Sequence, residues 1–245
     1  MNKVARVTAA FWVMKICATT LGETAGDLLS MTLNVGYAAS TVLLVSLFIA
    51  ALVVQLRAKA FHAPLYWTVV LLTSTAGTTM SDYMDRTLGL GYTAGSLILV
   101  SCLAVVLLVW RRVEGSLSVS RIETRRAEVF YWAAILCSNT LGTALGDFLA
   151  DDSGLGFLGS AILIAAALVQ VLALWRFTRA NRVALFWIAF VLTRPFGATF
   201  GDVLTKPASK GGLDLGTAGS SAVLAALLVA CIAWSHRRAA VEQAD

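Results

Sequence analysis

Four aspartates recur along this chain in one local pattern, Gly-x-x-x-[Gly/Ser]-Asp. They are Asp27, Asp82, Asp147 and Asp202. On a helix, the positions four, seven and eight residues before each aspartate lie on nearly the same face. In three copies these positions carry oxygen-bearing side chains, among them the carboxylate of Glu23. Carboxylates and hydroxyls without histidine are the ligands that hard divalent cations prefer, so the pattern indicates ion handling.

Two sets of candidate residues follow from this pattern. The candidate metal ligands are Asp27, Asp82, Asp147, Asp202 and Glu23. The candidate pathway-lining residues are Thr19, Thr20, Ser74, Thr75, Thr78, Asn139, Thr140, Thr143, Arg194 and Lys15. The fourth copy departs from the others, because Arg194 and Pro195 replace its hydroxyls. We expect the four aspartates to line a common cavity and Arg194 to pair with Glu23 or Asp202.

Structural roles remain open for the same residues. The aspartates stand near a turn, where they would cap a helix or hold the hairpin. Threonine hydroxyls often bond carbonyls of their own helix. Lys15 is either a counter-charge for the carboxylates or a side chain that snorkels to the inner membrane surface.

The aspartate motif belongs to a longer repeat. Each copy opens with an aromatic residue and a tryptophan: Phe11-Trp12, Tyr66-Trp67, Tyr131-Trp132 and Phe186-Trp187. The small residues of the motif follow, and we predict that they allow close packing of helix backbones. These packing residues are Gly22, Gly26, Gly77, Ser81, Gly142, Gly146, Gly197 and Gly201. A long apolar segment completes each copy.

The composition is typical of an integral membrane protein. Of the 245 residues, 58% are hydrophobic and 13% charged, whereas soluble domains are near 25% charged. Apolar stretches recur at the length of a membrane-spanning helix, without the alternation of a β-barrel. We predict an all-α fold of eight transmembrane helices, arranged as four parallel two-helix repeats with pseudo-fourfold or pseudo-twofold symmetry about the membrane normal. The predicted helices are 9–31, 37–56, 65–84, 91–110, 128–149, 156–175, 183–205 and 215–235.

The predicted organisation is a single membrane domain, 1–245. It contains repeat 1 (9–57), repeat 2 (65–112), a cytoplasmic linker (113–127), repeat 3 (128–177) and repeat 4 (183–238). Most Lys and Arg residues lie in loops on the side of both termini, and only Arg86, Lys206 and Lys210 lie in the opposite loops. By the positive-inside rule we predict a multi-pass membrane protein with both termini in the cytoplasm. The four repeated tryptophans would form an aromatic belt at the inner interface.

The chain resembles a bacterial membrane-protein family built from four tandem two-helix "repeats of unknown function". The resemblance rests on the four [Phe/Tyr]-Trp pairs and the four aspartate motifs, and it extends from Phe11 to Arg238. It implies the repeat architecture and a location in the bacterial inner (cytoplasmic) membrane, and it assigns no residue a role.

Three functions are compatible with these features. The first is a transporter for a divalent metal cation, with Mn(II)-like chemistry favoured and efflux preferred, through a central pathway lined by the first helix of each repeat. The second is a proton-coupled carrier of a small organic solute. The third is a non-transporting membrane scaffold or sensor, whose basic linker binds a partner or anionic lipid.

Partners and cofactors follow from the same reasoning. We expect the lipid bilayer and a divalent cation as partners, no nucleic acid and no cofactor beyond a transported cation. We expect a monomer or a homodimer. No constellation of catalytic side chains favours an enzyme.

Overall fold

Eight long α-helices make up the described part of the chain. The computed structural model describes residues 3–241, so residues 1–2 and 242–245 of the predicted domain lie outside the described residues. The helices are α1 Ala9–Asp27, α2 Tyr37–Arg57, α3 Ala63–Asp82, α4 Gly91–Glu114, α5 Arg125–Asp147, α6 Gly156–Phe177, α7 Arg182–Thr205 and α8 Thr217–Val241. The all-α prediction is confirmed for these residues. α4 runs about one turn beyond its predicted end, and α8 runs nearly two turns beyond its own.

Three of the four repeats end their first helix in the same way. α1, α3 and α5 end at their aspartates, and each continues into one π-helical turn of five residues. These turns are Leu28–Thr32, Tyr83–Thr87 and Phe148–Asp152. The fourth repeat differs, because α7 continues past Asp202 and leads into a longer loop with a 3₁₀ turn at Ala208–Lys210.

The first helices of the four repeats pack as a closed ring, which we call the inner ring. α1 contacts α3 and α7, and α5 contacts the same two helices. Each second helix lies outside this ring against the first helix of the following repeat: α2 on α3, α4 on α5, α6 on α7 and α8 on α1. The last of these contacts joins the end of the chain to its beginning. We call the end of the ring that holds the aspartates the aspartate end, and the end near the termini the basic end.

The small residues of the motif lie where neighbouring inner helices touch. A Cβ added at Gly77 would come within 2.9 Å of the backbone of Asn139 and Thr140 on α5. The same kind of contact recurs around the ring, with Gly22 on Ser74, Gly142 on Arg194 and Gly197 on Thr19. One turn further on, Gly26 faces Thr78, Gly146 faces Ala198 and Gly201 faces Glu23. The helices therefore approach closely enough for side chains to meet at the ring centre.

Alanine at Gly77 should destabilise the protein by about 1–3 kcal/mol, because the added carbon meets backbone atoms that cannot rotate away. The matched control is Gly219→Ala on α8, where nothing lies within 4 Å of an added Cβ. That change should be neutral or slightly stabilising, because glycine is a poor helix former. Thermal melting of the two variants in detergent measures the difference. Equal melting temperatures would contradict the packing role of Gly77.

The distribution of apolar residues indicates a multi-pass membrane protein. Six of the described helices, α2 and α4–α8, are long and apolar enough to cross a membrane. Large apolar side chains are exposed along the outer helices, among them Val42, Leu97, Ile162 and Val223, and lipid is the environment that such side chains favour. α1 and α3 are less apolar because they carry much of the polar stripe, which is buried inside the ring.

The repeated tryptophans do not form the predicted interfacial belt. Trp67, Trp132 and Trp187 are buried, and only Trp12 is partly exposed. Trp132 lies 5.5 Å from the ring of Tyr66 on the neighbouring inner helix. The prediction is wrong for the three buried residues, because their positions face the adjacent helix and close the basic end with aromatic packing.

The predicted linker 113–127 is shorter and is folded against the bundle. α4 runs to Glu114 and α5 begins at Arg125, so only 115–124 connects them. The indole Nε1 of Trp187 donates to the carbonyl of Leu117 at 3.0 Å. Ile122 is buried in the core. The connection thus packs against the basic end of the inner ring.

Candidate functional site

The four aspartates lie buried at one end of the inner ring and are held in pairs by two cations. The Arg86 guanidinium lies between the first pair, 3.1 Å from Asp82 and 3.0 Å from Asp147. Asp82 and Asp147 belong to repeats 2 and 3, so this ion pair links neighbouring inner helices. Arg86 itself lies in the π-helical turn one helical turn beyond Asp82.

Lys206 holds the second pair in the same manner. Its Nζ lies 2.6 Å from Asp27 Oδ2 and 3.2 Å from Asp202 Oδ1. Burial lowers the pKa of this lysine, but the carboxylates of Asp202 and Asp27 raise it more, so the net shift is upward. Both carboxylates therefore favour the charged form of Lys206.

Neither cation was among the residues predicted from the sequence. Arg86 and Lys206 each stand four residues after an aspartate, and that spacing places two side chains on one face of a helix. The spacing is the signal that would have identified them. The corresponding positions in repeats 1 and 3 are Met31 and Asp151, so the cations occur only in alternate repeats.

The open cavity expected between the four aspartates is not seen among the described residues at the aspartate end of the ring. Cationic side chains lie between the members of each pair. A capping role is not seen for three of the four aspartates. Asp27, Asp82 and Asp147 make no side-chain capping hydrogen bond in the described structure. Their carboxylates pair instead with Arg86 and Lys206.

A second polar layer lies one turn deeper, where Arg194 crosses the ring. Its Nη1 and Nη2 both donate to Glu23 Oε2 at 3.0 Å. Nη2 also approaches Thr78 Oγ1 at 2.6 Å and Thr143 Oγ1 at 2.7 Å. One side chain of repeat 4 thus contacts the other three repeats. Of the two acidic partners expected for Arg194, the structure pairs it with Glu23.

The threonine hydroxyls in this layer also donate hydrogen bonds to the carboxylate of Glu23. Thr78 and Thr143 each donate to Glu23 Oε2 at 3.2 Å. Both threonines stand four residues before their aspartate, as Glu23 does in repeat 1. The three equivalent positions therefore converge on one buried ion pair.

Three carboxylates come together between the two layers. Ligand oxygens of Glu23, Asp27 and Asp202 lie within 4.8 Å of one another, and all three residues are buried. We call these residues the three-carboxylate group. Asp82 and Asp147 do not belong to it. The five candidate ligands are thus divided between this group and the two aspartates held by Arg86, Asp82 and Asp147, which we call the Arg86 pair.

The charges of the two layers do not cancel. Asp27, Asp82, Asp147, Asp202 and Glu23 are five carboxylates, and the cations paired with them are Arg86, Lys206 and Arg194. When all are ionised, two formal negative charges remain. Enclosed charge of this size attracts cations strongly, because the surroundings screen it poorly.

Several candidate pathway residues bond their own helix. The hydroxyls of Thr20, Thr75 and Thr140 each donate at 3.0 Å to the carbonyl four residues earlier. All three stand seven residues before an aspartate. This position therefore contributes little polar surface to the ring centre.

The position eight residues before the aspartate instead links neighbouring helices. Thr19 Oγ1 lies 2.9 Å from the carbonyl of Ile16 on its own helix and 3.2 Å from that of Thr193 on α7, and Asn139 Nδ2 donates to Thr73 Oγ1 at 2.9 Å. The backbone carbonyl of Ser74 accepts from Arg194 at 3.4 Å. These contacts reinforce the packing between neighbouring inner helices.

Lys15 is fully buried and does not snorkel to the membrane surface. Its Nζ makes no hydrogen bond within the described residues and lies 4.2 Å from the centre of the Phe190 ring. The snorkelling alternative is wrong, because Lys15 points between the inner helices. It pairs with none of the described carboxylates.

A groove of about 870 Å³ lies near the basic end, between α1, α6 and α7. Its walls are mostly apolar and include Trp12, Trp175 and Phe186, with Arg182 at the edge. None of the candidate metal ligands or pathway residues is among the described residues that line it. The groove is therefore separate from the carboxylates.

Comparison with known proteins identifies one family. The family described as Repeat of Unknown Function (DUF347) matches the chain four times, at residues 10–61, 65–116, 130–181 and 185–240. The four matches coincide with the four repeats defined by the aspartate motif. No curated protein and no solved structure matches the chain.

Proposed function

This chain belongs to the DUF347 repeat family, and we propose that it is a membrane transporter for a divalent metal cation. The observation that carries the proposal is the three-carboxylate group, whose ligand oxygens lie within 4.8 Å of one another inside the ring. Oxygen ligands without histidine or thiolate suit Mn²⁺, Mg²⁺ and Ca²⁺. We favour Mn²⁺ as the cargo and efflux as the direction.

The charge of the ring supports a divalent cargo. Glu23, Asp27 and Asp202 carry three formal negative charges, of which Arg194 compensates one. The remaining two equal the charge of one divalent cation, and two protons would neutralise the same carboxylates. Exchange of one metal ion for protons would therefore keep the three-carboxylate group close to electrically neutral.

The inner ring supplies the pathway in this proposal. Arg86 and Lys206 close it at the aspartate end, and aromatic side chains with the 115–124 connection close it at the basic end. Transport requires these closures to open in turn, so that the carboxylates face one side of the membrane at a time.

The membrane arrangement is part of the same proposal. We infer that α1 and α3 also cross the bilayer, which gives eight spans, because they pack between spans of suitable length. The repeating contacts favour a pseudo-fourfold axis, and the alternate cations reduce it to twofold. The distribution of basic residues favours cytoplasmic termini, and the location proposed is the bacterial inner membrane. One chain closes the ring, so a monomer is sufficient.

A proton-coupled carrier of an organic solute is the second candidate. The apolar groove with Arg182 at its edge favours it, because such walls suit an amphipathic anion. The groove lies away from the carboxylates, so this candidate leaves the three-carboxylate group without a role. The scaffold function has less support, since the connection that was expected to bind a partner is packed against the bundle.

Cells that overproduce the protein should contain less Mn²⁺ and tolerate more of it than cells with an empty vector. Elemental analysis of washed cells measures the content. Asp202→Asn should abolish the effect, whereas the matched control Asp152→Asn, at the exposed last residue of the third π-helical turn, should keep it. An unchanged content of Mn²⁺, Mg²⁺ and Ca²⁺, together with altered tolerance to an organic anion, would favour the carrier instead.

A further inference from the structure

Lys206 stands where a metal ion would bind the three-carboxylate group. Its Nζ contacts two of the three residues, Asp27 at 2.6 Å and Asp202 at 3.2 Å. A cation bound by the three-carboxylate group would take oxygens from the same two carboxylates. A metal ion and the Lys206 ammonium therefore cannot both occupy the position between them.

The contact of Lys206 with Asp202 is an ion pair that leaves the carboxylate oxygen without a hydrogen bond. The contact of Arg86 with Asp82 Oδ1 is of the same kind. Asp202 Oδ1 is buried and accepts no hydrogen bond within the described residues. This oxygen contacts a positive charge through its ion pair with Lys206 Nζ, at 3.2 Å. A buried carboxylate oxygen without a hydrogen bond is costly, and it points toward the place that the ammonium holds.

The Arg86 pair provides the contrast. Arg86 contacts Asp82 and Asp147 much as Lys206 contacts its own pair. The residues one turn deeper on those helices are Thr78 and Thr143, and among the described residues no third carboxylate joins this pair as Glu23 joins Asp27 and Asp202. Guanidinium also binds carboxylates through a rigid fork, whereas ammonium is a compact point charge like a metal ion.

We propose that Lys206 is a tethered cation that holds the three-carboxylate group between transport cycles and competes with the divalent cargo for it. This inference rests on the proposed function. Binding of the cargo displaces the ammonium, and departure of the cargo lets it return. The site thus avoids exposing several unpaired buried carboxylates when no metal is bound.

The local structure suits a movement of the side chain alone. Lys206 follows the last residue of α7, and its side chain is 20% exposed. The backbone around it is tied down, because Leu213 N donates to the carbonyl of Val203 at 2.7 Å and Asp214 N to that of Lys206 at 3.1 Å. Rotation of the lysine side chain toward water therefore needs no rearrangement of the loop.

The charges also match this exchange. Glu23, Asp27 and Asp202 carry three negative charges, of which Arg194 compensates one. A divalent cation in place of the ammonium neutralises the remaining two. A monovalent ion would leave the group with the same charge that Lys206 leaves, so the exchange favours divalent cargo.

The test is a titration of purified protein with MnCl₂, in which the loss of the free Mn²⁺ electron paramagnetic resonance signal measures binding. Lys206→Met should bind Mn²⁺ at least about tenfold more tightly than the wild type, because a competing charged contact is gone. Lys206→Gln should change affinity in the same direction if the methionine variant does not fold. Lys206→Arg, which keeps the charge, should bind no more tightly than the wild type.

Two double variants show which carboxylates the gain in Mn²⁺ affinity depends on. Adding Asp27→Asn to Lys206→Met should remove the gain in affinity, whereas adding Asp147→Asn should leave most of it. If the wild type binds Mn²⁺ and the neutral Lys206 variants bind equally or less tightly, the tethered-cation inference is wrong and the transport proposal stands. If neither the wild type nor these variants bind Mn²⁺, Mg²⁺ or Ca²⁺, both proposals fail.

Discussion

Arg194→Met should lower the stability of the protein by about 3–5 kcal/mol, the range expected when one partner of a buried ion pair is removed. The variant leaves Glu23 as an uncompensated charge among four helices. It also deprives Thr78 and Thr143 of their charged partner. Thermal melting in detergent, followed by tryptophan fluorescence, measures the loss. The exposed Arg112 provides the control, and Arg112→Met should change stability by less than about 0.5 kcal/mol.

A second substitution separates charge from packing at this site. Arg194→Met combined with Glu23→Gln should recover much of the lost stability, because the amide carries no charge and still bonds the two threonines. The two changes are in contact and should therefore be strongly non-additive. A double variant whose loss equals the sum of the single losses would show that the ion pair is not what holds the ring together.

Asp27→Asn and Asp202→Asn should each reduce Mn²⁺ transport by at least about 100-fold. Loss of groups that merely orient metal ligands already costs 10–100-fold, and these two residues are proposed as ligands. Asp82→Asn and Asp147→Asn should reduce transport less, because that pair is held by Arg86 without a third carboxylate. Initial rates of Mn²⁺ loss from preloaded cells, scaled to membrane-inserted protein, provide the comparison.

The unequal losses expected for the two pairs of aspartates distinguish a single metal site from a site shared equally by the four repeats. Equal losses for all four aspartates would show that they act as a single ring, as the sequence pattern alone had suggested. Transport losses confined to the Asp82 and Asp147 variants would indicate that the cargo binds at the Arg86 pair instead. Glu23→Gln belongs with the first pair and should match Asp27→Asn.

The helices and repeats were predictable because hydropathy and spacing are local properties of the chain. The apolar segments begin near Gly36, Gly91 and Gly156, and so do the helices that they form. The order of packing was not predictable in this way. Nothing local in the sequence states that α2 packs on α3 of the next repeat, since that choice depends on how four inner helices close a ring.

The candidate site was predicted in its residue types but only partly in its partners. The stripe of positions four, seven and eight residues before each aspartate was treated as one face. In the structure these positions separate: Thr78 faces the ring centre, Thr75 bonds its own helix and Thr19 reaches the neighbouring helix. Helix periodicity places residues on a face and does not decide which neighbour a side chain meets.

The cations at the aspartate end were missed for a related reason. Arg86 and Lys206 follow their helices by a few residues and were assigned to loops, where charges are ordinarily solvated. The helical path continues far enough to return both side chains to the aspartates. An i, i+4 search beyond the predicted helix ends would have found them.

The most direct test of the carboxylate centre as a cation pathway is Mn²⁺ flux through purified protein in liposomes. We expect the wild type to accelerate flux down an imposed Mn²⁺ gradient, and we expect liposomes with Asp202→Asn to match empty ones. Asp152→Asn, at an exposed position outside the ring, should retain the wild-type rate. A wild-type rate equal to that of empty liposomes for Mn²⁺, Mg²⁺ and Ca²⁺, or an undiminished rate with Asp202→Asn, would contradict the account.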